Sequence, residues 1–245
     1  MRVSIIIPAY NEEKRIKDTV QAYDQFLSNK KHEHDFDYEL LVVINGTTDN
    51  TAGVIKGLQQ SMPALQMIEI SSGGKGLAIA HGFKDALKRE NDWIGFVDAD
   101  MATSPQAFYE LIEHINGYDG IIASRYTQGA VVTPARPLIK RWGSKLFFES
   151  LTRLLFRIHY DDTQCGAKLF KRIVIQKIVP YLSVPQWAFD IEILYLCKCF
   201  GFTVKEYPTV WHDKAGSKLH ILRAGSRMLG TLFSLRWRYW KKRLP

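Results

Sequence analysis

No stretch of this chain approaches about 18 consecutive uncharged apolar residues, so a membrane-spanning helix is excluded. Cysteine is scarce: Cys165, Cys197 and Cys199 are an odd set without framework spacing. A disulfide scaffold is thereby excluded. Cys197-Lys198-Cys199 is too tight for a usual zinc knuckle and has no partner pair. The three read as reduced thiols of a cytosolic protein. Internal repeats and low-complexity tracts are absent. The first residues, Met1–Pro8, are too short for a signal peptide and read as a strand. Acidic residues are outnumbered, 25 against 33 Lys and Arg, leaving a net charge of +8. That excess suits an anionic partner: nucleic acid, a membrane surface or a phosphorylated substrate. Interleaved aromatic and basic residues on a recognisable nucleic-acid module are not found, so nucleic acid is not an expected partner.

What is present is an α/β chain. Apolar residues make up 46% and charged residues 24%, which calls for a globular core rather than disorder. Strands are expected at Arg2–Ile7, Tyr38–Ile44, Leu65–Ile70, Trp93–Val97 and Gly120–Ser124. Helices should lie between them: from an Asn11 N-cap to about Leu27, to about Ser61, to about Arg89, and over Pro105–Asn116. Strands alternating with helices predict a mostly parallel, doubly wound sheet with helices on both faces. Arg125–Arg136 reads as a loop and Pro137–Arg157 as a basic helix whose apolar face includes Leu138, Trp142 and Leu146. A polar turn follows at Asp161–Gly166, then a strand at Ala167–Phe170, helices at Arg172–Val179 and Ala188–Phe200, and a late strand at Thr203–Val210. A helix is expected from Leu219 to the end, and its last part, Leu229–Leu244, mixes Leu, Phe, Trp and Tyr with cations, the pattern of a helix lying in a headgroup region or of an amphipathic helix packed on the core. The expected division is a catalytic domain at 1–218 and a basic amphipathic C-terminal helix at 219–245.

The chemistry centres on Trp93-Ile94-Gly95-Phe96-Val97-Asp98-Ala99-Asp100, a buried strand that delivers two acids to the carboxyl edge of the sheet. Ligands bind at that edge in open α/β sheets. Strand alternation places Asp98 and Asp100 on one side, where two hard oxygen donors suit Mg²⁺ or Mn²⁺. The alternative is that one acid caps the next helix while the other is solvated. Gly73-Gly74-Lys75-Gly76 lacks the spacing and the following Ser/Thr of a Walker A loop, and the chain lacks Gly-x-Gly-x-x-Gly, so neither an NTPase nor a dinucleotide dehydrogenase fits. Its backbone N–H groups and Lys75 could face a nucleotide, or the glycines could simply make a left-handed turn.

Taken in order, Pro8-Ala9-Tyr10-Asn11-Glu12, Asn45-Gly46-Thr47-Thr48-Asp49, Gly74-Lys75-Gly76 and Asp98-Ala99-Asp100 resemble glycosyltransferase family 2, inverting nucleotide-sugar enzymes with a GT-A fold. Ala123-Ser124-Arg125-Tyr126, Asp162–Phe170, Phe189-Asp190-Ile191-Glu192 and Gly216-Ser217-Lys218-Leu219 narrow the resemblance to the polyprenyl-phosphate sugar synthases, the dolichyl-phosphate β-glucosyltransferase branch above all. The resemblance implies that Pro8, Tyr10, Asn11 and Glu12 cradle the nucleoside, with Asn45, Lys75, Ala99 and Gln164 also on the donor side. It implies Asp98 near ribose and metal, Asp100 on the metal, and Arg125 on the lipid phosphate. Lys140 and Arg141 would assist Arg125, Ser217 and Lys218 would close over the phosphates, and Asp190 stands where relatives acting on alcohols place a base, the alternative being that Asp190 and Glu192 cap or line a helix. Asn45 replaces one of two usual acids, and Ala102 stands where the mannosyl branch often has Gln. The expected reaction moves a hexose, glucose from UDP-glucose, onto a polyprenyl phosphate at the cytoplasmic face of a membrane, in cell-envelope glycosylation. The alternatives are a GDP-mannose enzyme and a transferase to a saccharide hydroxyl.

Overall fold

The computed structural model describes residues 1–33, 35–134, 149–186, 188–212 and 221–242. Seven strands form one sheet in the order β3-β2-β1-β4-β7-β5-β8. β1 (Arg2–Ala9), β2 (Asp37–Asn45), β3 (Leu65–Ile70) and β4 (Trp93–Val97) run parallel to one another. β7 (Ala167–Lys171) is antiparallel and lies between β4 and β5 (Gly120–Ser124). β8 (Val204–Pro208) runs parallel to β5 on the outer edge. A second sheet of two short strands pairs β6 (Val131–Thr133) with β9 (Val210–His212).

The central strands are buried on both faces, which is why they read as continuous Val/Ile/Leu runs. Ile5, Ile7, Leu40 and Val42 point to a cluster covered by α1 (Ile16–Glu33), α2 (Thr51–Gln59) and α4 (Pro105–His114). Their neighbours Ile6, Leu41 and Val43 point to the opposite cluster. That side is covered by α3 (Lys75–Ala86), α5 (Arg172–Ile178), α6 (Phe189–Cys199) and α7 (Ile221–Lys242). The result is a three-layer α/β/α sandwich, as expected. The antiparallel β7 is the departure from the expected pattern, and it has a consequence for the site. Ala167 pairs with Val97, so the turn that precedes β7 arrives at the carboxyl edge of β4.

Several boundaries differ from expectation. The first helix begins at Ile16 rather than at Asn11, because Asn11 has a left-handed backbone (φ 53°) and spends its side chain on the neighbouring loop. The late strand splits at Thr209, whose N–H bonds to Ser124 O. Of the expected helix 137–157, residues 149–156 are helical and 137–148 lie outside the described residues. No described helix is long and apolar enough to cross a membrane. α7 packs Leu232, Leu235 and Tyr239 into the core and leaves Phe233, Trp237 and Trp240 exposed.

The helix after the acid pair is capped by neither acid. Ser104 is the N-cap of α4: its hydroxyl accepts from Ala107 N at 3.2 Å, and Pro105 follows at the first helical position. Ser104→Ala should therefore lower unfolding free energy by about 1 kcal/mol, read from the urea midpoint at unchanged slope.

Candidate active site

β4 ends at Val97, so Asp98–Met101 form a turn and not a continuing strand. The two acids reach the same edge because this turn folds back, with Met101 left-handed at φ 59°, and strand alternation is not the cause. The turn is pinned at three points. Asp98 N donates to Gly166 O (3.1 Å), Thr19 Oγ1 donates to Ala99 O (2.8 Å), and Ala102 N donates to Asp100 Oδ1 (3.0 Å). Asp98 Oδ1 takes the ammonium of Lys75 at 2.6 Å. Burial pushes the Asp98 carboxyl above its ordinary pKa against the pull of Lys75, and the Asp100 charge adds to the rise. Burial works against the Lys75 ammonium, yet Asp98 and Asp190 together hold its pKa above the ordinary value.

The donor set fits a divalent cation. Asp98 and Asp100 each keep one oxygen, Oδ2, that accepts no hydrogen bond from a described residue. Among the described residues no third His, Cys, Asp or Glu joins them as a metal cluster. An ion held there would complete its shell with diphosphate oxygens and water, the usual habit of Mg²⁺. A Cβ at residue 166 would stand 2.0 Å from Asp98 Oδ2, so any side chain there would displace this carboxylate.

The turn before β7 joins this acid pair to Arg125. At one end Gly166 receives Asp98. At the other, Asp162 takes the Arg125 guanidinium in a fork, Nε to Oδ2 at 2.7 Å and Nη2 to Oδ1 at 2.9 Å, and also accepts from Arg125 N at 3.0 Å. Glu206 in β8 fixes the turn by accepting from Asp161 N and Asp162 N, both at 2.8 Å. The guanidinium lies 4.9 Å over the Trp211 ring. Trp211 in turn bridges to Thr103, and His212 N donates to Ala102 O, so the acid-bearing turn and the Arg125 support share a backbone. Burial opposes both charges of the Arg125–Asp162 pair. Their mutual attraction outweighs it, holding Arg125 above its ordinary pKa and Asp162 below its own. Nη1 of Arg125 makes no bond to Asp162.

The glycine-rich turn, for which a nucleotide-facing reading and a plain left-handed turn both stand open in the sequence, is packed against protein. Gly74 N donates to Asn45 Oδ1 (3.0 Å), and Gly76 N and Leu77 N donate to Pro185 O (3.0 and 3.3 Å). Three backbone donors at the start of α3, those of Gly74, Gly76 and Leu77, are thus occupied by protein. Asn45 is 2% exposed and also donates to Ala9 O at 3.0 Å, so its amide ties the ends of β1 and β2 to this turn.

The segment Pro8–Glu12 follows β1 onto the same edge. Tyr10 is 53% exposed there. Asn11 N donates to Thr47 Oγ1 and Asn11 Oδ1 accepts from Thr48 N, while Glu12 N donates to Thr51 Oγ1. Glu12 holds Arg15, with Nη2 to Oε1 at 2.6 Å. The bond to Glu12, with lesser help from the Asp100 and Asp98 charges, raises the Arg15 pKa.

Asp190 is not on an open face. It is 2% exposed and pairs at 2.6 Å with Lys168, itself fully buried, which also donates to Cys165 O. Gln164 is exposed on the turn between Asp162 and Gly166. Lys140, Arg141, Ser217 and Lys218 lie outside the described residues. The sequence reading missed Arg15, Gly166, Lys168 and Trp211. A lysine inside a short buried strand and an arginine three residues from Glu12 were the available signals; Trp211 and Gly166 offered none.

Residues 4–178 match the family model described as glycosyl transferase family 2. The chain is similar to the dolichyl-phosphate beta-glucosyltransferase of Dictyostelium discoideum, 30% identical over 97% of this chain and 74% of that one. It is also similar to the protein of that name from Drosophila melanogaster, 30% identical over 98% of this chain and 76% of that one. In fold it resembles glucosyl-3-phosphoglycerate synthase from Mycobacterium tuberculosis, solved with Mn²⁺, uridine diphosphate and phosphoglyceric acid. The TM-score is 0.67 at 18% identity, over 96% of this chain and 78% of that one.

Proposed function

Since this chain belongs to glycosyltransferase family 2, we propose that it moves glucose from UDP-glucose onto a polyprenyl phosphate, inverting the anomeric carbon. The observation that carries the reading is the single turn, Asp162–Gly166, that holds Arg125 at one end and receives Asp98 at the other.

The exposed Tyr10 ring and the Pro8–Glu12 segment receive the nucleoside, which lays the diphosphate over Asp98 and Asp100. Those two acids would hold Mg²⁺ or Mn²⁺, which would supply Lewis acidity to the departing diphosphate. Lys75 supplies fixed positive charge beside it. Nη1 of Arg125 takes the acceptor phosphate, and its fork to Asp162 over Trp211 fixes the direction from which that phosphate approaches. A phosphate oxygen attacks the anomeric carbon, the bond to the diphosphate breaks, and the nucleoside diphosphate leaves with that electron pair. A phosphomonoester has its second pKa near ~6, so the nucleophile is already largely dianionic and requires no protein base. Asp190, buried against Lys168, then serves as a counter-ion and not as a base. Lys140, Arg141, Ser217 and Lys218 remain the proposed further contacts to acceptor and diphosphate.

The acceptor also implies a membrane. On α7, Phe233, Trp237 and Trp240 are 55, 58 and 64% exposed, and Lys241 sits 5.1 Å over the Trp237 ring. Aromatic rings beside cations suit a headgroup layer. We place the chain peripherally on the cytoplasmic face; three unpaired cysteines support a reducing compartment.

The test is transfer of label. The purified chain with Mn²⁺ and undecaprenyl phosphate in detergent is given radiolabelled UDP-glucose or GDP-mannose. Label entering the organic phase from UDP-glucose is the expected result. Label entering from GDP-mannose replaces glucose by mannose in the reading, and label that stays water-soluble removes the lipid acceptor.

A further inference from the structure

One carboxylate buried in the core is used by no step above. Glu192 in α6 has no exposure and no cationic partner among the described residues. It is held by neutral donors alone: Ser183 N (3.0 Å to Oε2), Ser183 Oγ (2.6 Å), Val184 N (2.9 Å) and Tyr239 Oη (2.7 Å). A fully buried carboxyl group satisfied only by hydrogen bonds tolerates little displacement of its partners, since each lost bond leaves a polar oxygen unpaired in the core. Glu192 therefore fixes the backbone of residues 183 and 184.

That backbone is the lid of the glycine-rich turn. Pro185 O, one residue further on, accepts from Gly76 N and Leu77 N at the start of α3. The approach is so close that a Cβ at residue 76 would stand 2.4 Å from Val184 O, and one at residue 74 would stand 2.5 Å from Pro185 O. This close contact accounts for both glycines. α3 opens with Lys75, whose ammonium is 2.6 Å from Asp98. A continuous set of bonds thus runs from Tyr239 on the C-terminal helix, through Glu192 and residues 183–185, to the lysine that faces the first acid.

We propose that Glu192 is a positioning residue for the donor site: by clamping residues 183–185 on the start of α3 it sets Lys75 against Asp98, with Tyr239 as the tie to α7. The proposal rests on the reading of Asp98 and Asp100 as the donor edge. It makes α7 part of the donor site's support, so a helix offered to a lipid surface is bonded to the same carboxylate that orders the diphosphate end.

The experiment uses the full chain with Glu192→Gln and Tyr239→Phe. Gln keeps the shape but leaves one acceptor oxygen where there were two, so the bonds on one side, from the Ser183 and Tyr239 hydroxyls, must reverse or break. Phe keeps the packed ring and removes the hydroxyl's hydrogen bond to Glu192 together with its contact to Tyr181 O. UDP binding with Mn²⁺ is measured by calorimetry, KM for donor and acceptor are separated, and thermal melting gives the folded fraction. Glu192→Gln should weaken UDP binding about tenfold, as loss of outer-shell support does. Tyr239→Phe should weaken it about fivefold, the worth of one hydrogen bond. Acceptor KM should stay within about twofold in both, which a general loss of folded protein would not produce. If folded Tyr239→Phe and Glu192→Gln bind UDP as the parent does, the proposal is overturned. Should Glu192→Gln not fold, Tyr239→Phe decides alone. A parent chain that binds neither UDP nor GDP with Mn²⁺ overturns the donor-site reading beneath it instead.

Discussion

Replacing Asp100 by alanine is expected to cut sugar transfer on the order of a thousandfold, the several kcal/mol that a correctly placed cation contributes to a departing diphosphate. The fold should survive. Asp100 is half-buried and its one protein bond is from Ala102 N, so the loss in stability is about 1 kcal/mol. The turn keeps its other pins, Asp98 N to Gly166 O and Thr19 Oγ1 to Ala99 O. Two measurements separate a missing metal from a damaged turn. UDP should raise the melting temperature of the parent only when Mn²⁺ is present, and should not raise that of Asp100→Ala under either condition. Chelation of the parent with EDTA should reproduce the variant's rate, and added Mn²⁺ should restore the parent alone. Turnover by Asp100→Ala at more than about a tenth of the parental rate is incompatible with the acid pair as the cation's seat. Asp98 is the poorer choice for this test, because its removal would leave the buried Lys75 without its nearest counter-charge.

Much of the architecture was legible because burial writes itself into composition. β1, β2 and β4 are buried on both faces, and their unbroken apolar runs marked them at nearly their true bounds. Strand direction leaves no such trace. Ala167–Lys171 reads as a strand whichever way it runs, and only the register with β4 makes it antiparallel. The three-residue strands β6 and β9 are too short for any period to show. The delayed start of α1 has a similar cause. Asn11 followed by two acids is a good local N-terminus, but Thr47 and Thr48 of another loop claim its backbone N–H and its side-chain oxygen. Local propensity cannot register a bond formed across 36 residues.

The site divides along the same line. Asp98, Asp100 and Arg125 follow strand ends directly, and strand ends were readable, so their arrival at one edge could be expected. What joins them could not. Asp162 was a polar turn residue until β7 turned out to run backwards and carry it to Arg125. The glycines at 74 and 76 looked like a phosphate loop because a close backbone approach and a phosphate cradle require the same residue. Only the position of Pro185 O shows the close approach. For Asp190 two readings stood open, a base and a residue lining a helix, and its buried partner Lys168 was signalled only by a lysine inside a short apolar strand.

Arg125 carries the second large effect, and its variants should separate acceptor binding from fold. In Arg125→Lys the charge stays but the fork to Asp162 is lost, since an ammonium cannot present two parallel N–H groups and a third direction to an anion. Acceptor KM is expected to rise about tenfold or more with UDP affinity unchanged, measured with Mn²⁺ present. An equal loss of UDP affinity would remove Arg125 from the acceptor side. Arg125→Ala is more severe, because Asp162 is 2% exposed and would be left as a buried unpaired carboxylate, a loss of about 3–5 kcal/mol. The pH dependence supplies the sign. In the parent, Arg125 holds the Asp162 pKa below its ordinary value, so the pair's stabilisation is complete above the unfolded value near ~3.9 and is lost as pH falls through the folded one. In Arg125→Ala that attraction is gone and burial pushes the same carboxyl upward, so protonation now relieves the buried charge. The stability gap between parent and Arg125→Ala should therefore be widest near neutral pH and narrow steadily as the solution is acidified, as followed by urea unfolding. A gap that stays constant from neutral pH down to about pH 4 would mean that Asp162 finds another cation when Arg125 is removed.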